Sequence, residues 1–321
     1  MRFYPVQIFV LVFGILSSLK AVARPPAKKL LVVTTTTDLA WAAGEIFGDA
    51  VEVRSLLKGK EDPHYADVRP DFVSQVAKAD VVCVVGLDLE MGWLPKVLSK
   101  AGRTELQPGG KGFCDFGAKV DALDKPAKPL DRSHGHVHAR GNPHYWLSPS
   151  VFAKASRAVL DAVERVQPSL KGRFDGRFSD YVQMMMALEI EQKVRLSKAK
   201  IQGERAIFAE YHNEFSYFAR SFGFVLHSSL EEKPGLSPSA GRLLKVAEKL
   251  KADRVSLVLA ARSAPPRSIR KFEELSGLSV GVVPVSVIPE PGTDVNTYPR
   301  LISKIIDTVI YISETNAGKV H

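Results

Sequence analysis

The sequence predicts an α/β protein of two lobes, each a parallel sheet flanked by helices, joined by one long rigid helix. Three observations carry this prediction. Short β-branched runs alternate with helical patterns along both halves of the chain, the signature of parallel strands with helical crossovers. The alternation stops once, over residues 172–200, where Phe174, Phe178, Tyr181, Val182, Met185 and Leu188 form an apolar stripe with no Pro or Gly after Gly176. Finally, 321 residues with 45% hydrophobic content suffice for about two cores of the ~150-residue size.

In the first half, residues 29–35 (KLLVVTT) read as a strand and lead to a helix over 38–47. Residues 51–57 lead through a polar loop to a helix over 70–79. A third strand over 80–85 precedes a helix over 93–101, and a weaker strand over 112–116 runs into a polar stretch. That stretch, 125–143, is rich in Pro, His and Gly and reads as a loop. It ends at Ser148-Pro149, a helix cap followed by a first-turn proline. Phe152, Ala155, Val159, Ala162, Val163 and Val166 then keep helical spacing. In the second half, strands are expected over 205–211, 222–227, 253–260 and 278–286. Helices are expected over 214–222, 238–252, 267–275 and 298–312. Between the halves, Glu189 with Lys193 and Glu191 with Arg195 add four-residue charge pairs to the long helix, which would make it a stiff connector. Met184-Met185-Met186 reads as packing at helical spacing. The resulting division is 1–23 signal peptide, 24–170 N-terminal lobe, 171–200 linking helix and 201–321 C-terminal lobe.

The signal assignment rests on Arg2, the apolar run 6–19 and the small-x-small site Ala21-Val22-Ala23, too short a run for a membrane span. The mature protein is therefore expected to be exported and soluble, with no lipid-bearing Cys at the cleavage site. Lys and Arg exceed Asp and Glu by 44 to 35, but the cations are scattered and not interleaved with aromatics, so nucleic acid is not the expected partner. Cys83 sits in the apolar run Val81-Val82-Cys83-Val84-Val85 and reads as a buried thiol. Export permits a disulfide with Cys114, which sequence alone leaves open.

Three of the eight histidines stand out. His64 lies in Glu61-Asp62-Pro63-His64-Tyr65, a polar loop after a strand. His144 lies in Gly141-Asn142-Pro143-His144-Tyr145-Trp146, just before a capped helix, and His212 follows the strand ending at Tyr211. All fall on the side of the carboxyl ends of predicted strands, where open α/β sheets bind ligands. Three neutral imidazoles suit Zn²⁺, with an oxygen ligand or water completing a tetrahedral shell, and the prolines before His64 and His144 would stiffen their presentation. His134-Gly135-His136-Val137-His138, in the loop preceding His144, reads as an auxiliary metal segment.

These residues resemble a family. Asp62-Pro63-His64 with Pro70, Gly86-Leu87-Asp88-Leu89-Glu90 with Trp93-Leu94, and Asn142-Pro143-His144-Tyr145-Trp146-Leu147 occur in the order seen in the zinc/manganese-binding solute-binding proteins of ABC transporters, the ZnuA-like group. Tyr211-His212-Asn213-Glu214-Phe215 with Tyr217-Phe218, and Glu231-Glu232-Lys233-Pro234-Gly235 before Ser237-Pro238-Ser239, continue the resemblance over nearly the whole mature chain. It implies a cluster A-I solute-binding-protein-like fold with the metal in the cleft between lobes. His64 and His144 would come from the first lobe and His212 from the second. A third histidine, where manganese binders of the family tend to carry a carboxylate, tilts the metal towards zinc, with Mn²⁺ or Fe²⁺ as alternatives. The family's usual Asp shortly before the last helix is replaced here by Ser286. Glu290 and Asp294 stand nearby; a three-histidine site completed by water is the preferred reading, with Asp294 as the alternative fourth ligand.

The resemblance further implies a monomeric, exported binding protein that delivers metal to an ABC transporter membrane permease, and no enzyme. Its histidine-rich loop would be an acquisition loop. Two other classes are weighed against it. A zinc-dependent hydrolase would need a general base near the metal, for which Glu61 and Glu210 are the only candidates near the three histidines. His134-Gly135-His136-Val137-His138 lacks the Asp and His that would extend it to a metallo-hydrolase pattern, since Ala139-Arg140 stand there. A cell-adhesion protein using the same fold would hold metal for stability only.

Overall fold

The computed structural model describes residues 1, 29–126, 138–232, 235–317 and 319. The signal segment 1–23, apart from Met1, and His134 and His136 of the histidine-rich loop thus lie outside the described residues.

The chain folds as two four-stranded sheets, both parallel throughout. The first contains β1 (Leu30–Thr34), β2 (Val51–Ser55), β3 (Val81–Val84) and β4 (Phe113–Asp115), in the order β2-β1-β3-β4. Helices α1 (Thr37–Phe47), α2 (Pro70–Lys78), α3 (Leu94–Ala101), α4 (Pro149–Ala155) and α5 (Arg157–Val166) accompany it. The second sheet contains β5 (Ile207–Glu210), β6 (Val225–Ser229), β7 (Leu257–Ala261) and β8 (Gly281–Val283), in the order β6-β5-β7-β8. Its helices are α7 (Ser216–Phe222), α8 (Ala240–Ala252), α9 (Pro266–Ser276) and α10 (Tyr298–Thr315), while α6 (Asp175–Lys198) lies between the two halves. The central strands are uniformly buried, as in Val81–Val84 and Leu257–Ala261, because helices cover both faces of a parallel sheet. Both strand orders reverse direction beside the first strand of their sheet, which opens a crevice at the carboxyl ends.

Several elements differ from the sequence expectation for local reasons. The helix expected from Pro149 onward breaks at Ser156, whose Oγ donates to the Phe152 carbonyl at 2.8 Å and meets the Tyr181 hydroxyl at 3.0 Å. A hydroxyl bonded back to the preceding turn competes with the helical ladder. α7 runs on to Phe222 and ends on Gly223 at φ 76°, so β6 starts only at Val225. That left-handed cap is a conformation glycine adopts without a Cβ clash. In α6, Lys193 meets Glu189 at 2.8 Å as expected. Arg195 instead reaches Asp307 of α10 and the Gln192 amide oxygen, leaving Glu191 aside.

One buried cluster includes Val32 of β1, Met185 and Leu188 of α6, Leu259 of β7 and Ile305 of α10. The two sheets are therefore packed through α6 and α10 rather than tethered. Trp41 stacks on Tyr298 with ring centroids 5.3 Å apart. The second half also reaches directly into the first. Val287 donates its N–H to Asp38 Oδ1 at 2.9 Å and accepts from Thr37 Oγ1 at 2.5 Å, while Trp146 Nε1 donates to the Val285 carbonyl at 2.7 Å. Gly59, at φ +83°, lies against the same strap: a Cβ there would sit 2.0 Å from the Val287 carbonyl oxygen.

Cys83 and Cys114 face each other across β3 and β4 as paired positions, and both thiols are buried and free. Burial pushes the Cys114 thiol well above its usual range. Among the described residues no helix is long and apolar enough to cross a membrane.

Candidate metal centre

Two of the three histidines are presented by the same local device. In Asp62-Pro63-His64, Asp62 Oδ1 accepts both the His64 backbone N–H at 2.9 Å and its ring Nδ1 at 2.7 Å. In Asn142-Pro143-His144, Asn142 Oδ1 accepts the His144 backbone N–H at 2.9 Å and ring Nδ1 at 2.9 Å. A short polar side chain two residues upstream thus forms an Asx turn and orients the ring, with proline fixing the backbone between. The His64 loop is further held by Trp93, whose indole N–H donates to the Pro63 carbonyl at 2.9 Å. His212 follows β5 directly, and its Nδ1 donates to Glu231 Oε2 at 2.8 Å. With each Nδ1 engaged by an acceptor, Nε2 is the nitrogen left to face a ligand.

The rings converge. His64 lies 5.1 Å from His144 and 5.3 Å from His212, centroid to centroid, and His144 lies 5.5 Å from His212. One ligand nitrogen of each falls within 4.8 Å of the others. A tetrahedral zinc with nitrogens at ~2.0–2.1 Å has nitrogen pairs about 3.4 Å apart, so an inward movement of each nitrogen by at most about 0.8 Å would close the triad on an ion. His144 Nε2 and His212 Nε2 are buried and have no hydrogen-bond partner. Buried polar atoms are normally paired, and two that aim into one space are suited to a cation. The cavity they face holds about 270 Å³ and is lined from both halves, by Asp62, His64 and His144 on one side and by His212, Glu214 and Ser286 on the other. That volume lies below the ~300–1,000 Å³ typical of organic-ligand pockets.

The electrostatics differ between the rings. Burial holds His144 well below the usual imidazole range, reinforced by neighbouring His64, His212 and His138, so its ring is neutral and ready to ligate. Burial acts in the same direction on His212, but the hydrogen bond to Glu231 and the charges of Glu214, Glu231 and Glu210 outweigh it and push the ring up to about 9. Burial likewise raises Glu214 to about 7 and Glu210 to about 8. Glu214 Oε1 accepts the Ala261 N–H at 3.2 Å, and Glu210 Oε2 takes the N–H groups of Glu214 and Phe215. Burial alone would raise Asp62, yet the His64 hydrogen bonds win and hold its carboxyl below the usual range.

Asp294, the alternative fourth ligand to water, has its carboxylate paired with Lys304 at 2.9 Å, stands largely exposed and does not line the cavity. Glu290 is likewise drawn to Lys60 at 2.6 Å. Lysines within reach on either side outcompete an inward fold of loop 289–296. Ser286 does line the cavity and is buried. His138, the described residue of the histidine-rich segment, lies beside the triad, with its Nε2 3.1 Å from His64 Nε2 and its ring 6.0 Å from His144. His227 is bound by Asp253 at 2.8 Å and does not line this cavity. Sequence reasoning missed the orienting roles of Asp62, Asn142 and Glu231. The Asx-Pro-His spacing was the available signal for the first two; Glu231 stood in a family motif, but only the fold brings it beside His212 at the end of β5.

Asn142 also ties the halves together, donating from Nδ2 to Asp124 Oδ2 at 3.0 Å and to the Asn213 carbonyl at 3.2 Å. Replacing Asn142 with alanine is therefore expected to weaken metal binding roughly 10- to 100-fold, the usual cost of losing an outer partner of a ligating histidine, as read by competition with a chromophoric chelator.

The chain is similar to known proteins over most of its length. It is 24% identical over 271 residues to the zinc-binding lipoprotein AdcA of Streptococcus pneumoniae, covering 83% of this chain and 52% of AdcA, so it spans about half of that relative. It is 24% identical over 277 residues to the manganese ABC transporter substrate-binding lipoprotein PsaA of Streptococcus pneumoniae, covering 84% of each. Its fold matches the periplasmic zinc binding protein TroA from Treponema pallidum with a TM-score of 0.72 at 22% identity, over 89% of this chain and 99% of TroA. The model of the zinc-uptake complex component A, periplasmic (ZnuA) family matches residues 32–310, and with two parallel-sheet lobes and three histidines converging between them, the chain belongs to the ZnuA family.

Proposed function

We propose that this protein is an exported metal-binding protein of an ABC transporter, which captures a divalent cation, Zn²⁺ in preference to Mn²⁺ or Fe²⁺, and delivers it to a membrane permease. The observation that carries this reading is the triad itself: three imidazoles from two lobes, each with Nδ1 held by a fixed acceptor and Nε2 turned to a shared cavity. Reading the chain as lobes 24–170 and 201–321 about a linking helix 171–200, capture draws the three rings together over a stiff connector. Docking on the permease then reverses that small movement. An all-nitrogen triad favours zinc, since manganese prefers carboxylate oxygen. His134 and His136 are assigned an auxiliary role in acquiring metal.

A hydrolase reading has less support. Glu61, at the cavity wall, is bonded to the Lys58 and Lys60 N–H groups of its own loop, and Glu210 does not line the cavity. A binding site must also release its cargo, which distinguishes it from a purely structural metal in an adhesin. Calorimetric titration of the exported form is expected to give one tightly bound Zn²⁺ per chain, held more tightly than Mn²⁺. Absence of saturable binding would sink the reading.

The same titration has a pH signature. With its pKa at about 9, His212 carries a proton on Nε2 at neutral pH, and a ligating histidine must be neutral. Binding at pH 7 should therefore release close to one proton, and apparent affinity should climb up to about tenfold per pH unit towards pH 9 before levelling. Calorimetry in buffers of different ionisation enthalpy measures that proton directly; a flat profile between pH 6 and 9 contradicts the assigned state of His212.

A further inference from the structure

We propose that His138 is the fourth protein ligand, closing a four-imidazole shell. This rests on the metal-binding reading and adds a ligand to it. Its Nε2 stands 3.1 Å from His64 Nε2, close to the ~3.4 Å separation of two nitrogens on one tetrahedral zinc. Because His64 Nδ1 donates to Asp62 Oδ1, His64 Nε2 accepts from His138 Nε2 across that 3.1 Å, and a cation between the two nitrogens would take the place of the His138 proton. The ring also lies within 6.0 Å of His144, so it approaches two of the three triad members.

The position of His138 is built. The Gly141 N–H donates to the His138 carbonyl at 3.0 Å, with Gly141 at φ 107° in a turn suited to glycine. Beyond it, the Arg140 N–H donates to Asp88 Oδ2 at 3.1 Å, the Arg140 guanidinium stands 3.6 Å from Asp115, and the Asn142 N–H donates to the Leu123 carbonyl at 2.8 Å. The end of the histidine-rich loop is thus fastened to the lobe that carries His64 and His144.

Carboxylate rivals are weaker. Asp294 and Glu290 are paired with Lys304 and Lys60. Asp62 and Glu231 are engaged with ring nitrogens. Glu214 faces the cavity, but one oxygen is spent on the Ala261 N–H. Ser286 offers only a hydroxyl. Four imidazoles would strengthen the preference for zinc over manganese beyond that of a triad with water, and would couple the loop to the cargo.

The test compares the full exported chain with His138→Ala and His64→Ala, using Zn²⁺ with a competing chromophoric chelator and Co²⁺ as a spectroscopic probe of the same shell. His138→Ala is expected to weaken zinc binding more than tenfold and to shift the visible Co²⁺ bands, because water replaces a nitrogen, while leaving the melting temperature of the metal-free chain unchanged. Unchanged zinc affinity and an unchanged Co²⁺ spectrum in His138→Ala, alongside loss of binding in His64→Ala, would remove His138 from the shell and leave the triad intact. Failure of the parent chain to bind either metal would overturn the metal-binding reading itself.

Discussion

Replacing His144 with alanine is expected to eliminate tight zinc binding, a larger loss than that of Asn142→Ala, which only frees the ring it orients. His144 is buried at 2% exposure, is held neutral by its surroundings and aims an unpartnered Nε2 into the cavity. The nearby carboxylates Asp62 and Glu231 are already bonded to the remaining rings. Removing the ring leaves two triad histidines, and a zinc site with an incomplete donor set fills with water and weakens. Titration with Zn²⁺ should show loss of at least the 10–100-fold that an outer partner costs. His227→Ala, outside the cavity, should titrate like the parent. The same Zn²⁺ affinity in His144→Ala and the parent would contradict the assignment of this ring as a ligand.

Replacing Glu90 with alanine is expected to produce the largest loss of stability. Glu90 is buried at 4% exposure and gathers three donors: Thr35 Oγ1 and the Val85 N–H, both at 2.7 Å to Oε1, and the Gly86 N–H at 3.1 Å to Oε2. These donors come from the end of β1 and the turn after β3, where Gly86, Leu87 and Asp88 all take positive φ. Alanine leaves the donors buried and unpaired, at about 1–3 kcal/mol each, so a loss of at least about 3 kcal/mol is expected. That corresponds to a drop in melting temperature of roughly 6–12 °C. Glu90→Gln retains one oxygen for part of the set and should lose less. An alanine variant within a degree or two of the parent would contradict this role.

The Glu90 carboxyl also carries a pH dependence. Burial raises it from 4.5 to about 7 against the pull of its three donors. The folded state then holds the proton more tightly than the unfolded chain, so stability from this group is greatest below pH 4.5 and declines as pH rises towards about 7. Glu90→Ala should flatten that part of the profile of melting temperature against pH.

Much of the molecule was legible in the sequence because its signals are local. Alternating β-branched and helical runs pointed to all eight strands of the described residues, and the apolar stripe from Phe174 to Leu188 pointed to α6. The three histidines stood out by position, since the loops on the carboxyl-end side of a parallel sheet border its crevice. Boundaries were less legible. The break at Ser156 depends on the Tyr181 hydroxyl of another helix, and Arg195 chose Asp307 over Glu191 because α10 packs beside α6.

What the sequence by itself determined is the pair of α/β lobes and the long helix between them, both encoded in periodicity, while the placing of three imidazoles at a shared crevice came from the family resemblance. The tertiary structure alone decided the company those rings keep. Asp294 looks as available as any loop acid in one dimension, yet Lys304 claims it. Glu231 becomes the partner of His212, and His138 crosses to within 3.1 Å of His64, 74 positions earlier in the chain. Charge pairing and metal coordination act over a few ångströms in space, and separation along the chain sets no limit on which groups come that close.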